Sequence, residues 1–420
     1  MHPSDRFADN LVAMIWECRW LAIGLALSFT ALACSRTPMD EQHGVTTNTI
    51  SSGGGAGTVT SGGTTGTIGN TGGGVPTSFP GSAIGAGGTV ASGGRTSAGG
   101  TTTAGGTTAS GGSSGSGGTN GKGGTWGGTA PSCSGLAATC GPSGNDDCCR
   151  SLLVPGGTFY RSYDGVDYTD KSYPAAVDDF YLDKYEITVG RFRQFVNAGM
   201  GTQARPPASG AGANLAITGS GWDSTWNTNL AANTASLTSG MYCDFAGYLT
   251  WTDTVGRNES QPMNCLDWYT AFAFCAWDGG RLPTEAEWNY AASGGSEQRY
   301  YPWSSPPTST TIDDSYAVYC GGSCKSTQNV GSKSPKGDGK WGQTDLAGNV
   351  WEWTLDWFDT YQMLCSNCAD ITDSSASFRV IRGGYFGIFD SFLRSANRDI
   401  NWGAWSDYFS IGARCARASL

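Results

Sequence analysis

Histidine is almost missing from this chain. Its two copies, His2 and His43, precede a low-complexity tract, and none follows it. Serine or cysteine nucleophiles activated by histidine, zinc sites built on imidazole and two-histidine iron sites are therefore excluded from the rest of the sequence, because each needs an imidazole as base or ligand. Any catalysis there must use carboxylates, thiols, tyrosine, lysine or arginine. Charge is also scarce: 14% of the residues are Asp, Glu, Lys or Arg, and the formal net charge is -10. That balance argues against nucleic acid as a partner. A membrane-spanning run is lacking near the start, where the apolar stretch from Trp20 to Ala33 is too short to cross about 30 Å of bilayer as a helix. Preceded by Arg19, it has the form of an export signal.

Glycine is what the chain has in excess. Of its 65 glycines, 31 fall in residues 51–130, together with 28 Ser or Thr and only Arg95 and Lys122 as charges. Such a tract has nothing to bury and cannot form a core. Residues 34–130 are expected to be a disordered Gly/Ser/Thr-rich stalk, in which about 90 residues of flexible coil reach on the order of 50 Å. Ahead of it, Ala31-Leu32-Ala33-Cys34 resembles a bacterial lipobox. The resemblance implies a lipoprotein-type signal peptide over residues 1–33, lipidation at Cys34, and export to a bacterial cell envelope or surface with the membrane reached through a lipid anchor. Plain secretion is the alternative.

Cysteine usage agrees with export. Removing Cys18 with the signal and Cys34 as the lipidated residue leaves twelve of fourteen, an even number suited to disulfides in an oxidising compartment. Residues 131–150, which carry Cys133, Cys140, Cys148 and Cys149, are too short for a core of their own and read as a stapled cap on residues 151–420. Four cysteines allow three connectivities. Cys365-Ser-Asn-Cys368 has the spacing of a redox dithiol but lacks the usual βαβ setting, so structural disulfides are expected throughout.

Regular structure should be sparse. Phe180 to Leu182 reads as a strand. Thr188 caps a helix running to Asn197, with Phe192, Phe195 and Val196 on one face, and Leu266 to Trp277 is a second helix burying Trp268, Ala271, Phe272 and Cys275. Thr284-Glu285-Ala286-Glu287 is a capping box that opens a third. Arg205–Tyr248 and Ser304–Trp341 read as long irregular segments. Arg281 is expected in a buried ion pair. Trp351 and Trp353 alternate across a strand as core residues, with one ring as a candidate pocket wall.

Four ordered blocks carry a family resemblance. They are Val154-Pro155-Gly156-Gly157-Thr158-Phe159 leading to Leu182-Asp183-Lys184-Tyr185-Glu186-Ile187-Thr188, then Gly280 to Trp288 (GRLPTEAEW), then Asp345 to Trp353 (DLAGNVWEW), then Arg382-Gly383-Gly384 with Gly412-Ala413-Arg414-Cys415. Over about residues 152–418 the chain resembles the formylglycine-generating enzyme family, also called sulfatase-modifying factor domains. The resemblance implies an α+β, irregular, C-type-lectin-like fold. It also implies an O2-dependent oxidation of a sulfatase cysteine by two active-site thiols that bind copper, although many members have unknown roles.

Several site expectations follow from the resemblance. It pairs Cys275 with Cys415; beside it, Cys243 is expected to pair with Cys265, and Cys320, Cys324, Cys365 and Cys368 among themselves. It places a structural Ca2+ at Asp345, Gly348, Val350 and Glu352, an all-oxygen set, whereas a second family site near Ala317 lacks a side-chain oxygen. It borders its substrate cleft with the segment carrying Arg394, Arg398, Asp399 and Trp402, for which an ordinary surface loop is the alternative, and Trp351 is the candidate ring of that ligand cleft. The family's two thiols follow Arg-Gly-Gly by four and nine residues, which here are Ile388 and Leu393. Copper is thus not expected, and two functions compete: a non-catalytic module binding a peptide, glycan or envelope protein, and an oxidoreductase acting on an exported substrate.

Overall fold

The structure, a computed structural model, describes residues 130–419 apart from 244–245, 322–325, 373–377, 400–403 and 405–407. The expected signal peptide, Cys34, the stalk through residue 129, Cys324 and Trp402 lie outside the described residues. In chain order the elements are β1 (Ser151–Val154), β2 (Gly157–Tyr160), β3 (Pro174–Val177), β4 (Phe180–Asp183), α1 (Val189–Asn197), α2 (Thr234–Gly240), α3 (Trp268–Trp277), α4 (Glu285–Ala292), β5 (Trp351–Trp357), β6 (Cys365–Ser366), β7 (Arg379–Arg382), β8 (Ile411–Gly412) and β9 (Ala416–Ala418). Three small sheets, ordered β1-β4-β9, β2-β3-β6 and β7-β5-β8, replace any single large one. Long irregular segments connect them, so the fold is α+β with little regular structure.

Local sequence explains the helix boundaries. The Thr188 side chain accepts from Arg191 N–H at 3.2 Å and caps α1. Asp267 accepts from Thr270 N–H at 2.7 Å, so α3 begins at Trp268 rather than Leu266. The Thr284–Glu287 capping box of α4 is complete in both directions. The four α3 residues expected to be buried, Trp268, Ala271, Phe272 and Cys275, are buried, and Thr270, Ala273 and Phe274 are buried as well. A helix apolar on nearly every side belongs inside a core. The Arg205–Tyr248 segment is also less irregular than expected, since it contains α2, capped by Asn233, and a 3-10 helix at Ser224–Asn229 capped by Asp223.

The larger core gathers α1, α3 and β5, with Phe192 and Phe195 against Phe274 at ring separations of 5.9 and 5.5 Å. A second core lies between the N-terminal strands and α4. The C-terminal segment crosses between them, and Cys415 is bonded to Cys275 of α3. Cys243 is bonded to Cys265 and Cys365 to Cys368, and the cap is closed by Cys133–Cys149 and Cys140–Cys148. Cys320 is also in a disulfide. Ser132 N–H donates to Asp278, and Arg191 donates to Ser132 Oγ, which seats the cap on the core. Among the described residues no helix is long and apolar enough to cross a membrane.

Candidate functional site

The site is built around the end of β7. Arg382 is fully buried, and its Nη1 donates to the carbonyls of Ala396 and Asn397 at 3.1 and 2.6 Å. Its Nη2 donates to Glu285, Tyr361 Oη and Ser162 Oγ. One guanidinium thus fixes the 395–397 turn, the start of α4 and the loop after β5. Gly383 and Gly384 follow at φ 98° and 78°, a left-handed conformation that glycine adopts without steric cost. A Cβ at Gly384 would stand 2.8 Å from Leu393 Cδ1. The second glycine therefore admits the leucine.

Leu393 has no solvent exposure and packs with Tyr300, Tyr301, Ala317, Tyr319 and Ala347, while Ile388 is half-buried beside it. Hydrocarbon fills both positions at which the resemblance places thiols. Every cysteine among the described residues is in a disulfide.

The charged residues of the expected cleft are already engaged. Arg394 pairs with Asp167 at 3.0 Å and lies near the Tyr168 and Tyr300 rings. Arg398 sits 3.1 Å from Glu285, donates to the Asp359 carbonyl at 2.6 Å, and stacks over Phe358 and Tyr361 at 4.1 and 4.3 Å. Both guanidiniums that the resemblance places at the cleft border are thus held by internal partners. Trp351 and Trp353 are both buried in the larger core, as the core reading expected, and β5 is covered on both faces. Asp399 N–H donates to the Ile381 carbonyl at 3.3 Å. Arg281 forms the expected ion pair, with both terminal nitrogens 2.6 Å from Glu287.

Sequence reading missed the carboxylates that organise this region. Burial works against ionisation of Glu285, but Arg398 and Arg382 hold its carboxyl below the usual range. Asp356, which accepts from Glu285 N–H at 2.7 Å, is pushed up to about 7 by burial and by the neighbouring Glu285 charge. Burial pushes the Tyr361 hydroxyl up to about 12. Glu285 looks in sequence like an ordinary first-turn acid, and Tyr361 carries no local signal.

The expected Ca2+ set lies on the turn before β5. Asp345, Gly348 and Asn349 all have left-handed φ. Asp345 accepts from Gly331 N–H and Thr344 Oγ1–H at 2.5 and 2.9 Å, and burial pushes its carboxyl up to about 6. Glu186, buried beside it, accepts from Asn349 Nδ2–H and Val350 N–H. Burial, followed by the charges of Asp345 and Glu352, pushes its pKa well above normal. Glu352 accepts from Arg414 Nε and Nη2, each at 2.6 Å, and from Trp288 Nε1 at 2.8 Å. A cation suits the excess of buried negative charge, but the expected ligand set does not fit as arranged, because Glu352 is committed to Arg414. Among the described residues no three His, Cys, Asp or Glu side chains converge as on a metal.

Comparison with known proteins places this architecture. The family model described as sulfatase-modifying factor enzyme 1-like domain matches residues 137–419, beginning inside the cysteine-rich cap. The formylglycine-generating enzyme of Streptomyces coelicolor is 30% identical over 325 residues, covering 68% of this chain and 95% of that protein. A Bos taurus protein named inactive C-alpha-formylglycine-generating enzyme 2 is 28% identical over 260 residues, covering 56% of this chain and 82% of its own length. Among solved structures, PvdO from Pseudomonas aeruginosa matches with a TM-score of 0.45 and 22% identity, over 65% of this chain and 95% of that one. With a family model matched over residues 137–419 and a relative 30% identical over 68% of its length, this chain belongs to the sulfatase-modifying factor, or formylglycine-generating enzyme-like, family.

Proposed function

We propose that this chain is an exported, lipid-anchored family member that binds a ligand or partner and does not generate formylglycine. The reading rests on Ile388 and Leu393, the residues four and nine positions after Gly384. Neither side chain can ligate Cu(I), a soft ion that selects sulfur, and neither can exchange a disulfide. A relative named inactive shows that membership alone does not carry the reaction. The ligand class is a peptide, glycan or envelope protein, with the membrane reached through the Cys34 lipid and no nucleic acid, in keeping with the acidic balance. Ca2+ belongs to the proposal as a structural ion, with Asp345 as its carboxylate and Gly348 and Val350 as carbonyl donors. Glu352 would join that set only on release from Arg414.

Incubation of the full chain with Cu(I), O2 and a cysteine-bearing sulfatase peptide should leave the peptide mass unchanged. Turnover-dependent loss of the thiol with aldehyde formation would replace this reading with the O2-dependent oxidoreductase acting on an exported substrate.

A further inference from the structure

Cys365 and Cys368 are bonded across only two intervening residues. As a staple this bond does little, because the unfolded-chain entropy that a disulfide removes grows with the loop it closes. Cys275–Cys415, by contrast, spans 140 residues. The surroundings of the short bond point elsewhere. Arg161 aims Nη1 at Cys368 Sγ from 3.7 Å and donates Nη2 to the Gln362 carbonyl. Its guanidinium is buried, lies 4.4 Å over the Tyr361 ring, and leaves Nε without a hydrogen-bond partner. It forms no ion pair among the described residues. The Glu285 and Asp356 charges act on this guanidinium without an ion pair to it, and reduction of the disulfide would put a thiolate in direct reach of Nη1.

Access is uneven in a useful way. Cys365 is buried in the second core, whereas Cys368 is only partly covered. Immediately upstream, Met363 and Leu364 are 67% and 87% exposed, two apolar side chains next to the half-buried Cys368. The loop is fixed at both ends: β6 pairs with β3, Asn367 exchanges hydrogen bonds with Asp178, and Tyr361 is held by Arg382 and Glu285.

We propose that Cys365–Cys368 is a thiol–disulfide exchange site whose substrate is a dithiol in a partly apolar peptide segment, with Arg161 stabilising the Cys368 thiolate. The substrate thiolate attacks Cys368 Sγ, the Cys365–Cys368 bond breaks, and Cys365 leaves as a thiolate that takes a proton from solvent. The second substrate thiol, deprotonated to solvent, attacks the substrate sulfur of the mixed disulfide and releases Cys368 as the thiolate paired with Arg161. Two electrons pass from substrate to protein. The substrate gains a disulfide, the protein loses one, and each molecule reacts once. The site is separate from Ile388 and Leu393, so the copper and O2 assay does not bear on it.

The test equilibrates the full chain in glutathione buffers of graded poise, alkylates free thiols after acid quenching, and maps the labels by peptide mass. Cys365 and Cys368 should label at a poise where Cys275 and Cys415 remain bonded; labelling of all four together would overturn the proposal. Arg161→Met should lower the equilibrium constant for reducing the pair by about tenfold, or roughly 30 mV for a two-electron couple, and Arg161→Lys by less. An unchanged constant in an Arg161→Met protein that still melts cooperatively would also overturn it. A reduced dithiol peptide should be oxidised in one equivalent by the unmodified chain and not by Cys365→Ser; no oxidation by the unmodified chain would end the idea.

Discussion

Two buried ionic clusters share the same pair of segments yet reach opposite balances. Asp183 and Arg417 belong to the first, with Arg191 and Asp278; Glu186 and Arg414, only three residues from each, belong to the second, with Asp345 and Glu352. In the first cluster two guanidiniums meet two carboxylates. Arg191 lies 2.9 Å from Asp183 and 2.5 Å from Asp278, and Arg417 bonds to both aspartates. Burial would raise the Asp183 pKa, but Arg417 and Arg191 together hold it below normal. In the second cluster three carboxylates share one guanidinium, and both Glu186 and Asp345 are pushed upward. Burial is the same in both. What differs is the count of cations, and only the second cluster has a use for an added one.

The comparison breaks most completely when the strand that feeds both clusters is released. Replacing Cys275 and Cys415 together with Ser frees a segment carrying Arg414 and Arg417, and should cost roughly 5 kcal/mol by the loop-entropy model, read as a fall in the urea midpoint. Arg191→Met attacks the balanced cluster alone. It leaves two buried aspartates to one guanidinium and should cost about 3 to 5 kcal/mol.

In the unbalanced cluster the sign reverses. Asp345 ionises near 3.8 when unfolded and near 6 in place, so the folded chain keeps a proton that the unfolded chain loses. Its contribution to stability should therefore fall as pH rises from about 4 to about 6 and stay low above that. Asp183 behaves oppositely: its contribution is present above about 4 and is lost as pH falls through its depressed folded value. In the presence of chelator, Asp345→Asn keeps an acceptor for Gly331 and Thr344 and should stabilise the chain at pH 8 by on the order of 1 to 3 kcal/mol. Denaturant curves across pH 3 to 8 would show this as a flattened slope between 4 and 6.

Ca2+ sharpens the same contrast. At pH 8 the ion should raise the melting temperature of the unmodified chain, a chelator should reverse the rise, and Asp345→Ala should abolish it, since a ligand specific to the folded state stabilises that state. Identical melting in Ca2+ and chelator would remove the ion from the proposal. The smallest effect concerns neither cluster: Thr284→Ala removes one half of a satisfied capping box and should cost about 1 kcal/mol.

What was legible in the sequence was local or ordered along the chain. Caps at Thr188 and Thr284 declare themselves because their partners lie three residues away. The motif blocks show the family because their order survives in one dimension, and the absence of thiols at Ile388 and Leu393 is a matter of counting from Gly384. Trp351 could not be placed by alternation alone, since a strand covered on both faces buries every position. The ion pairs of Arg394 and Arg398 were not legible because their partners, Asp167 and Glu285, are remote in the chain. The sequence by itself determined the low content of regular structure, the starts of α1 and α4 at Thr188 and Thr284 and the chemistry missing after Arg382-Gly383-Gly384. Tertiary structure alone decided which charges cancel and which sulfur faces Arg161, because charge balance in a low-dielectric interior depends on distances that only packing sets.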